Sequence, residues 1–233
     1  MVEKAKKRDL RSRRESLEEL KKRVRKIISR LRKTYPQPKI ALEHQEPLQL
    51  LVATILSAQC TDERVNQVTP GLFAKYRTAK DYAEANVAEF EQEIRSTGFF
   101  RAKTKSIINC CKELVEKHGG KVPKTMEELV QLPGIGRKTA NCVLGAAYGI
   151  ASGVVVDTHV RRLAQRIGLS KEDDPEKIEQ YLMEIVPKKD WIDFGNMLIW
   201  HGRRVCQARK PNCPECVINN LCPSAEIFMK TMK

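Results

Sequence analysis

The feature that most restricts how this 233-residue chain can fold is a series of helix-start signals, each followed by apolar residues at helical spacing. Ser16 with Glu19 forms a capping-box pattern, and apolar residues then recur every three or four positions until Pro36. A short polar residue with a glutamate three positions later appears again at Asn86 and at Thr125. This repeat favours helices, because half-buried strands alternate every second residue.

The rest of the chain indicates the same class. Residues 48–59, LQLLVATILSAQ, are apolar on nearly every side, which predicts a central buried helix. Gly119 predicts a helix end, whereas Asp157 and Pro175 predict helix starts. The β-branched run GVVVD, at residues 153–157, is too short to seed a sheet. We therefore predict an all-α fold with about ten helices.

The charge distribution indicates the kind of partner. The net charge of +14 predicts a polyanionic binding partner, either nucleic acid or an anionic membrane surface. Residues 1–33 carry 15 Lys or Arg against 5 Asp or Glu, so most of the excess lies in an N-terminal arm. The arm lacks the apolar core of a secretory signal, and we expect a soluble, intracellular protein with no membrane partner. The tail before Ser16 either tethers DNA or keeps the protein in solution.

The stretch LPGIGRKTA, at residues 132–140, places a glycine turn directly before a segment with a helical pattern. Gly134 and Gly136 permit positive φ, and the free N–H groups at a helix start can bind an anion. The two glycines are therefore either phosphate-facing backbone donors or plain turn formers. Lys138 is either an exposed lysine that contacts a phosphate or a nucleophile.

Four of the eight cysteines crowd into residues 206–222, and the other four are scattered through apolar helical segments. This distribution favours a metal or cluster site over disulfides. The spacing C-x6-C-x2-C-x5-C suits zinc or an iron–sulfur cluster, and the uneven gaps favour [4Fe–4S] over the paired knuckles common at zinc sites. The candidate ligands are Cys206, Cys213, Cys216 and Cys222.

Two cations lie between the first two of these cysteines, at Arg209 and Lys210. A bound cluster would fix the loop that carries them, which would suit phosphate contact. The alternative is that both are solvated surface charges.

The chain thus contains LPGIGRKTA, then VDTHVRRLAQRIGL, then the four-cysteine segment, together with LSAQCTD and LIWHGRRVC. This combination resembles the endonuclease III family of DNA glycosylases in the helix-hairpin-helix superfamily. The resemblance runs from about residue 17 to about residue 222. The cysteine spacing and the hairpin lysine are its specific parts, whereas a lone P-G-I-G turn occurs in many DNA-binding proteins that catalyse nothing. Adenine-mismatch glycosylases of the same superfamily look similar but lack that lysine.

The resemblance implies a six-helix domain that holds the hairpin and an iron–sulfur cluster domain that both chain ends form, with DNA bound at the cleft between them. The expected divisions are residues 1–39 as a basic arm and helix of the cluster domain, 40–150 as the six-helix domain, and 151–233 as the rest of the cluster domain. The expected partner is double-stranded DNA with damaged bases or abasic sites, which the protein binds as a monomer in the cytoplasm, associated with the nucleoid.

The resemblance also implies the chemistry of a bifunctional DNA glycosylase and abasic-site lyase in base excision repair, which removes oxidised pyrimidines. Lys138 would attack C1′ of the damaged nucleotide and form a Schiff base, and β-elimination would then cut the strand. Only a neutral amine attacks carbon, so the site must favour that form by partial desolvation and the field of a helix N-terminus. Asp157 would stabilise the cationic sugar or move the lysine proton, and it also fits a plain helix N-cap.

An extruded base leaves a gap in the duplex. By resemblance Gln59 inserts there, and Phe99 occupies the position where family members often carry a leucine wedge. The alternative for Phe99 is a core aromatic residue after a helix end. Hairpin residues are also expected to contact DNA, namely Leu132, Gly134, Ile135 and Gly136.

Two other functions remain possible from the residues alone. A non-catalytic helix-hairpin-helix DNA-binding protein needs the hairpin glycines and the basic arm, but neither Lys138 nor Asp157. An iron–sulfur electron carrier needs the four cysteines, but neither the basic arm nor a phosphate-binding hairpin. The cluster is not expected to react, because cleavage of a glycosidic bond transfers no net electrons.

Overall fold

A computed structural model describes residues 15–231, and the side chains of residues 15–230. This part of the chain contains twelve α-helices, three short 3₁₀ segments and no strand, so the prediction of an all-α fold is confirmed. The α-helices are α1 (Leu17–Thr34), α2 (Pro47–Leu56), α3 (Asp62–Lys75), α4 (Ala79–Ala83), α5 (Val87–Ile94), α6 (Phe100–His118), α7 (Met126–Leu129), α8 (Arg137–Tyr148), α9 (Thr158–Arg166), α10 (Pro175–Ile185), α11 (Trp191–Arg204) and α12 (Ala225–Thr231). The 3₁₀ segments are Arg95–Thr97, Lys188–Asp190 and Asn219–Leu221.

The helix starts follow the capping signals in the sequence. At α1 the Ser16 side chain accepts a bond from the N–H of Glu19, and the Glu19 carboxylate accepts one from the N–H of Ser16, so the box is complete. Asn86 and Thr125 each cap a helix by accepting one bond from the backbone of the glutamate three positions later. Gly119, with φ of 57°, ends α6 in the left-handed conformation.

The buried apolar residues form two clusters. One, which we call the central cluster, comes from the continuous stretch of residues 42–144. The other, which we call the terminal cluster, combines residues 20–35 with residues 154–218. The expected domain boundaries near residues 39 and 150 fall between the two sets, and the division into domains stays a prediction.

Helix α1 joins the terminal cluster through polar contacts as well as through its apolar face. The Arg23 guanidinium donates to the carbonyl oxygens of Ile167 (2.7 Å) and Leu221 (3.0 Å). Arg32 donates to the nearly buried carboxylate of Asp190 at 2.9 Å. The beginning and the end of the described chain therefore share one core.

Within residues 15–231 we find no helix with the length and apolar character needed to cross a bilayer. The basic tail before Ser16 was predicted either to tether DNA or to aid solubility, and its residues 1–14 lie outside the described part of the chain.

Candidate active site

Lys138 and Asp157 line the same cleft, although they lie on helices that belong to different clusters. The cleft consists of an inner cavity of about 90 Å³ and an adjoining outer groove of about 510 Å³. Both side chains line both parts, together with Ser57, Asp62 and Arg203. The arrangement brings an amine and a carboxylate to one space with an open mouth.

The position of Lys138 follows from the glycine turn. It is the second residue of α8, and the N-cap of this helix is Gly136. Because glycine has no side chain, no cap occupies the first N–H groups of the helix. The Lys138 side chain is exposed and lines the cleft. The positive end of the helix dipole opposes a positive charge at this point and favours an anion. The start of α8 can therefore bind phosphate.

Asp157 is half-buried at the N-terminus of α9. One of its carboxylate oxygens accepts a 2.8 Å bond from the backbone N–H of Val160, as an N-cap does. This bond fixes the carboxylate where it also lines the cleft. The capping role and a role in chemistry are therefore compatible.

A buried carboxylate holds α8 against the terminal cluster. Glu179, on α10, accepts from Arg137 Nε at 2.7 Å and Nη2 at 3.1 Å, and from Asn141 Nδ2 at 2.7 Å. The Glu179 side chain is almost fully buried, and this hydrogen-bonded pairing raises the pKa of Arg137. Gly153 packs directly on it, since a Cβ at that position would lie 2.0 Å from Glu179 Oε1. The helix that carries Lys138 is thus tied to the other cluster one residue before the lysine.

A second ion pair spans the cleft itself. Arg203 Nη2, on α11, lies 2.6 Å from Asp62 Oδ2, at the start of α3. Neither this pair nor the Glu179 contacts were predicted from the sequence. A signal for Glu179 was present, because it occupies the apolar face of α10 with Ile178 and Leu182. No comparable signal marked Asp62 or Arg203, whose pairing depends on the tertiary fold.

The hairpin before α8 requires glycine at one position. Gly134 has φ of 79°, and a Cβ there would lie 2.9 Å from Ser106 Cβ on α6. The side chains of Leu132 and Ile135 are buried in the central cluster. Any contact of these two residues with DNA therefore comes from their backbone groups.

Gln59 and Phe99 share an unusual backbone. They are the two non-glycine residues with positive φ in the described part of the chain, at 52° and 48°. Both are exposed, and Phe99 has 65% of its surface accessible. The alternative that Phe99 is a core aromatic residue is therefore wrong. Gln59 lines the outer groove of the cleft.

The four cysteines predicted as ligands line one cavity, together with Arg166 and His201. Among residues 15–231, however, no three His, Cys, Asp or Glu side chains already stand in an arrangement that holds a metal ion. Arg166 Nη1 lies 3.5 Å from Cys206 Sγ, and burial raises the pKa of Cys216 to about 11. Buried thiolates need positive charge close by, which an iron–sulfur cluster provides, so this donor set fits such a group. Arg209 and Lys210 are exposed.

Comparison with known proteins identifies the family. The sequence profile of the HhH-GPD superfamily, base excision DNA repair proteins, matches residues 52–188. The endonuclease III of Synechocystis sp. is 55% identical over 206 residues, which cover 88% of this chain and 94% of that protein.

Two solved structures have the same fold. One is a non-covalent endonuclease III–DNA complex, with a TM-score of 0.86 and 41% identity, covering 90% of this chain and 98% of that one. The other is a trapped covalent intermediate of endonuclease III and DNA, with a TM-score of 0.85 and 41% identity over 91% of this chain and 99% of that one. The chain belongs to the endonuclease III family within the HhH-GPD superfamily.

Proposed function

We propose that this protein is a bifunctional DNA glycosylase and abasic-site lyase of base excision repair. Its substrate is double-stranded DNA that contains oxidised pyrimidines or abasic sites. The observation that carries the proposal is that Lys138 and Asp157, from different clusters, line one cleft. The trapped covalent intermediate of endonuclease III and DNA supports a reaction through a covalent adduct. We place this activity on nucleoid DNA in the cytoplasm, carried out by a monomer.

The reaction starts with extrusion of the damaged nucleotide into the cleft, since C1′ is not accessible inside the base stack. The neutral amine of Lys138 forms a bond to C1′ as the glycosidic C1′–N bond breaks, and the departing base takes the electron pair and a proton. The bound amine then loses a proton, and its electron pair forms a C1′=N bond as the C1′–O4′ bond breaks and the ring oxygen takes up a proton, which gives a Schiff base. Removal of a C2′ proton then breaks the C3′–O bond and releases the 3′ phosphate. Water hydrolyses the Schiff base and restores the lysine.

Asp157 acts on charge during these steps. Its carboxylate stabilises the positive charge that develops on the sugar, or it accepts the proton that Lys138 must lose. The capping bond from Val160 holds it in place throughout. Substitution by asparagine keeps an oxygen for the cap and removes the charge, so it separates the capping role from the chemical one.

The remaining predicted residues bind the DNA duplex. Gln59 and Phe99 fill the gap that the extruded base leaves, and their exposed, strained positions support this role. The backbone N–H groups around Gly134 and Gly136 bind phosphate at the start of α8.

Four cysteines would hold a [4Fe–4S] cluster, namely Cys206, Cys213, Cys216 and Cys222. When bound, the cluster supplies a structural cross-link and takes no part in bond cleavage. It would order the loop that carries Arg209 and Lys210, both exposed, for contact with phosphate. Iron and acid-labile sulfide in roughly equal amounts support the cluster, and zinc at one equivalent contradicts it.

Borohydride trapping tests the proposed function. The wild-type protein, mixed with a duplex that contains thymine glycol, is expected to give a covalent protein–DNA adduct. Lys138→Ala should give none, and Asp157→Asn should give much less at equal binding. Lys112→Ala removes an exposed lysine far along α6 and serves as the matched control. Absence of an adduct from the wild type would leave a DNA-binding protein without catalysis.

A further inference from the structure

One lysine in the described chain has a buried side chain, Lys103 in the first turn of α6, with 4% of its surface accessible. Buried lysines are rare, because an ammonium loses its hydration and must find replacement partners. Lys103 Nζ donates to the carbonyl oxygen of Leu56 at 2.7 Å and to that of Thr97 at 2.8 Å. The ammonium thus joins two segments that are far apart in sequence.

Both acceptors are helix C-termini. Leu56 is the last residue of α2, and Thr97 is the last residue of the 3₁₀ segment Arg95–Thr97. Terminal carbonyls lack partners within their own helix and carry the negative end of its dipole, so a cation is the favoured cap. Lys103 supplies one cation for both ends.

The two capped ends lead directly to the two strained residues. Gln59 follows Leu56 by three positions, and Phe99 follows Thr97 by two. A non-glycine residue at positive φ persists only where its surroundings hold it. The backbone of Lys103 adds one more contact, since its N–H donates to the carbonyl of Phe99 at 3.1 Å. Lys103 therefore forms hydrogen bonds both to the segment that leads to Gln59 and to the segment that contains Phe99.

We propose that Lys103 is a positioning residue that fixes the separation of Gln59 and Phe99, so that both side chains enter the duplex together when a nucleotide is extruded. The inference rests on the proposed function, because it assigns the two side chains to the gap in the duplex. Lys103 itself is buried and does not touch DNA or the reacting atoms. The role belongs to base extrusion, and the chemistry at C1′ does not depend on it.

This separation of roles gives the test. A single-stranded oligonucleotide with an abasic site needs no base extrusion, whereas a duplex with thymine glycol does. In Lys103→Met, base release from the duplex is expected to fall roughly 30-fold or more, since unstacking is no longer compensated by the paired insertion. Strand cleavage and borohydride trapping on the single strand should stay within about twofold of wild type. The fluorescence of 2-aminopurine next to the lesion reports unstacking. It should rise when the wild-type protein binds the duplex, and this rise should be absent with Lys103→Met.

Three controls separate positioning from general loss of structure. Lys112→Met removes an exposed lysine on the same helix, and Ile107→Val removes one methyl group from a buried residue one turn after Lys103. Neither should change the ratio of duplex to single-strand activity. In a Gln59→Ala/Phe99→Ala background, Lys103→Met should add little further loss on the duplex. Should Lys103→Met fail to fold, Lys103→Gln keeps two donors on a shorter side chain and should change the same ratio to a smaller degree.

The outcomes are distinct. An equal fall on both substrates, or an unchanged rate on the duplex, overturns the role of Lys103 while the enzyme remains. Full additivity in the Gln59→Ala/Phe99→Ala background overturns it as well. A wild-type protein that is inactive on both substrates defeats the proposed function itself.

Discussion

The central and terminal clusters differ in how the chain builds them. The central cluster comes from one continuous stretch of about a hundred residues, whereas the terminal cluster needs α1 and the last third of the chain to meet. The central cluster supplies Lys138, and the terminal cluster supplies Asp157 at the start of α9. Neither core contains the complete site. The distance between amine and carboxylate therefore depends on the contacts that join the clusters.

Two of the contacts that join the clusters are pairs of opposite charge, and we call these two contacts the joint. Glu179 binds Arg137 and Asn141, and Arg203 binds Asp62 across the cleft. Polar contacts have defined lengths and directions, so they fix the orientation of two bodies more sharply than apolar packing does. The catalytic geometry thus depends on the joint, whereas the apolar part of the stability comes from within each cluster.

The largest expected effects on the free energy of unfolding come from removing a large buried side chain from each cluster. Phe90 on α5 and Phe194 on α11 are fully buried, one in each cluster. Replacement of either by alanine should lower the free energy of unfolding by about 3–5 kcal/mol, measured by denaturant titration. Amide hydrogen exchange should then speed up mainly in α2–α8 for Phe90→Ala, and mainly in α1 and α9–α11 for Phe194→Ala. A uniform increase along the chain in both variants would mean that the two clusters open as one unit.

The next largest effect should come from the joint. Glu179→Ala leaves Arg137 and Asn141 without their shared acceptor, and we expect the free energy of unfolding to fall by about 3 kcal/mol, the low end for a broken buried pair because Arg137 is partly exposed. Borohydride trapping should fall as well, since α8 carries Lys138. Glu184→Ala, at an exposed position on the same helix, is the control. A stability loss without any change in trapping would show that this contact does not set the site geometry.

The difference between the apolar clusters and the polar contacts that join them also explains which features the sequence could predict. Apolar periodicity and capping residues such as Ser16 and Asp157 are local signals, and the helices they predict are present. Lys103 and Glu179 were not identified, because a charge within a helical pattern is ordinarily assigned to the solvent side. The pattern of α10 does place Glu179 on its apolar face. The partners of Lys103 and Glu179, however, lie 47 and 42 positions away in the chain, and no local pattern encodes those partners.

The site residues divide in the same way. The motif around Lys138 and the cysteine spacing pointed to candidate chemistry, because such residue types are informative by themselves. The Asp62–Arg203 pair was missed, since its meaning arises only when α3 and α11 meet. The exposure of Phe99 could not be read either, because an aromatic residue after a glycine suits a core as well as a surface.

A smaller effect on the free energy of unfolding is expected when a methyl group is added next to Glu179 than when the Glu179 carboxylate is removed. Gly153→Ala places a methyl group 2.0 Å from Glu179 Oε1, whose bonds to Arg137 and Asn141 restrict its movement. The free energy of unfolding should fall by about 2 kcal/mol, as for other overpacked sites.

Gly145→Ala is the matched control. Gly145 lies on α8 against Ile192, and its added Cβ would stand at an ordinary 3.4 Å. Alanine favours the helix by up to about 1 kcal/mol over glycine, so this variant should be as stable as wild type or more so. Equal losses in the two variants would mean that the cluster interface rejects any added volume, and that Glu179 has no special place in it.

The smallest expected effect lies at the far end of the terminal cluster. Ser16→Ala removes the hydroxyl that accepts from Glu19 N–H, and loss of such a cap costs about 1 kcal/mol. The cost should appear as faster hydrogen exchange in the first turn of α1, because the second half of the helix is held by Arg32 and Asp190. Ser29→Ala, at an exposed position inside α1, should have the opposite sign, since alanine is the better helix former. If Ser16→Ala instead speeds exchange through α9 and α11, the terminal cluster depends on the first turn of α1 for its assembly, and the central cluster alone is a self-sufficient core.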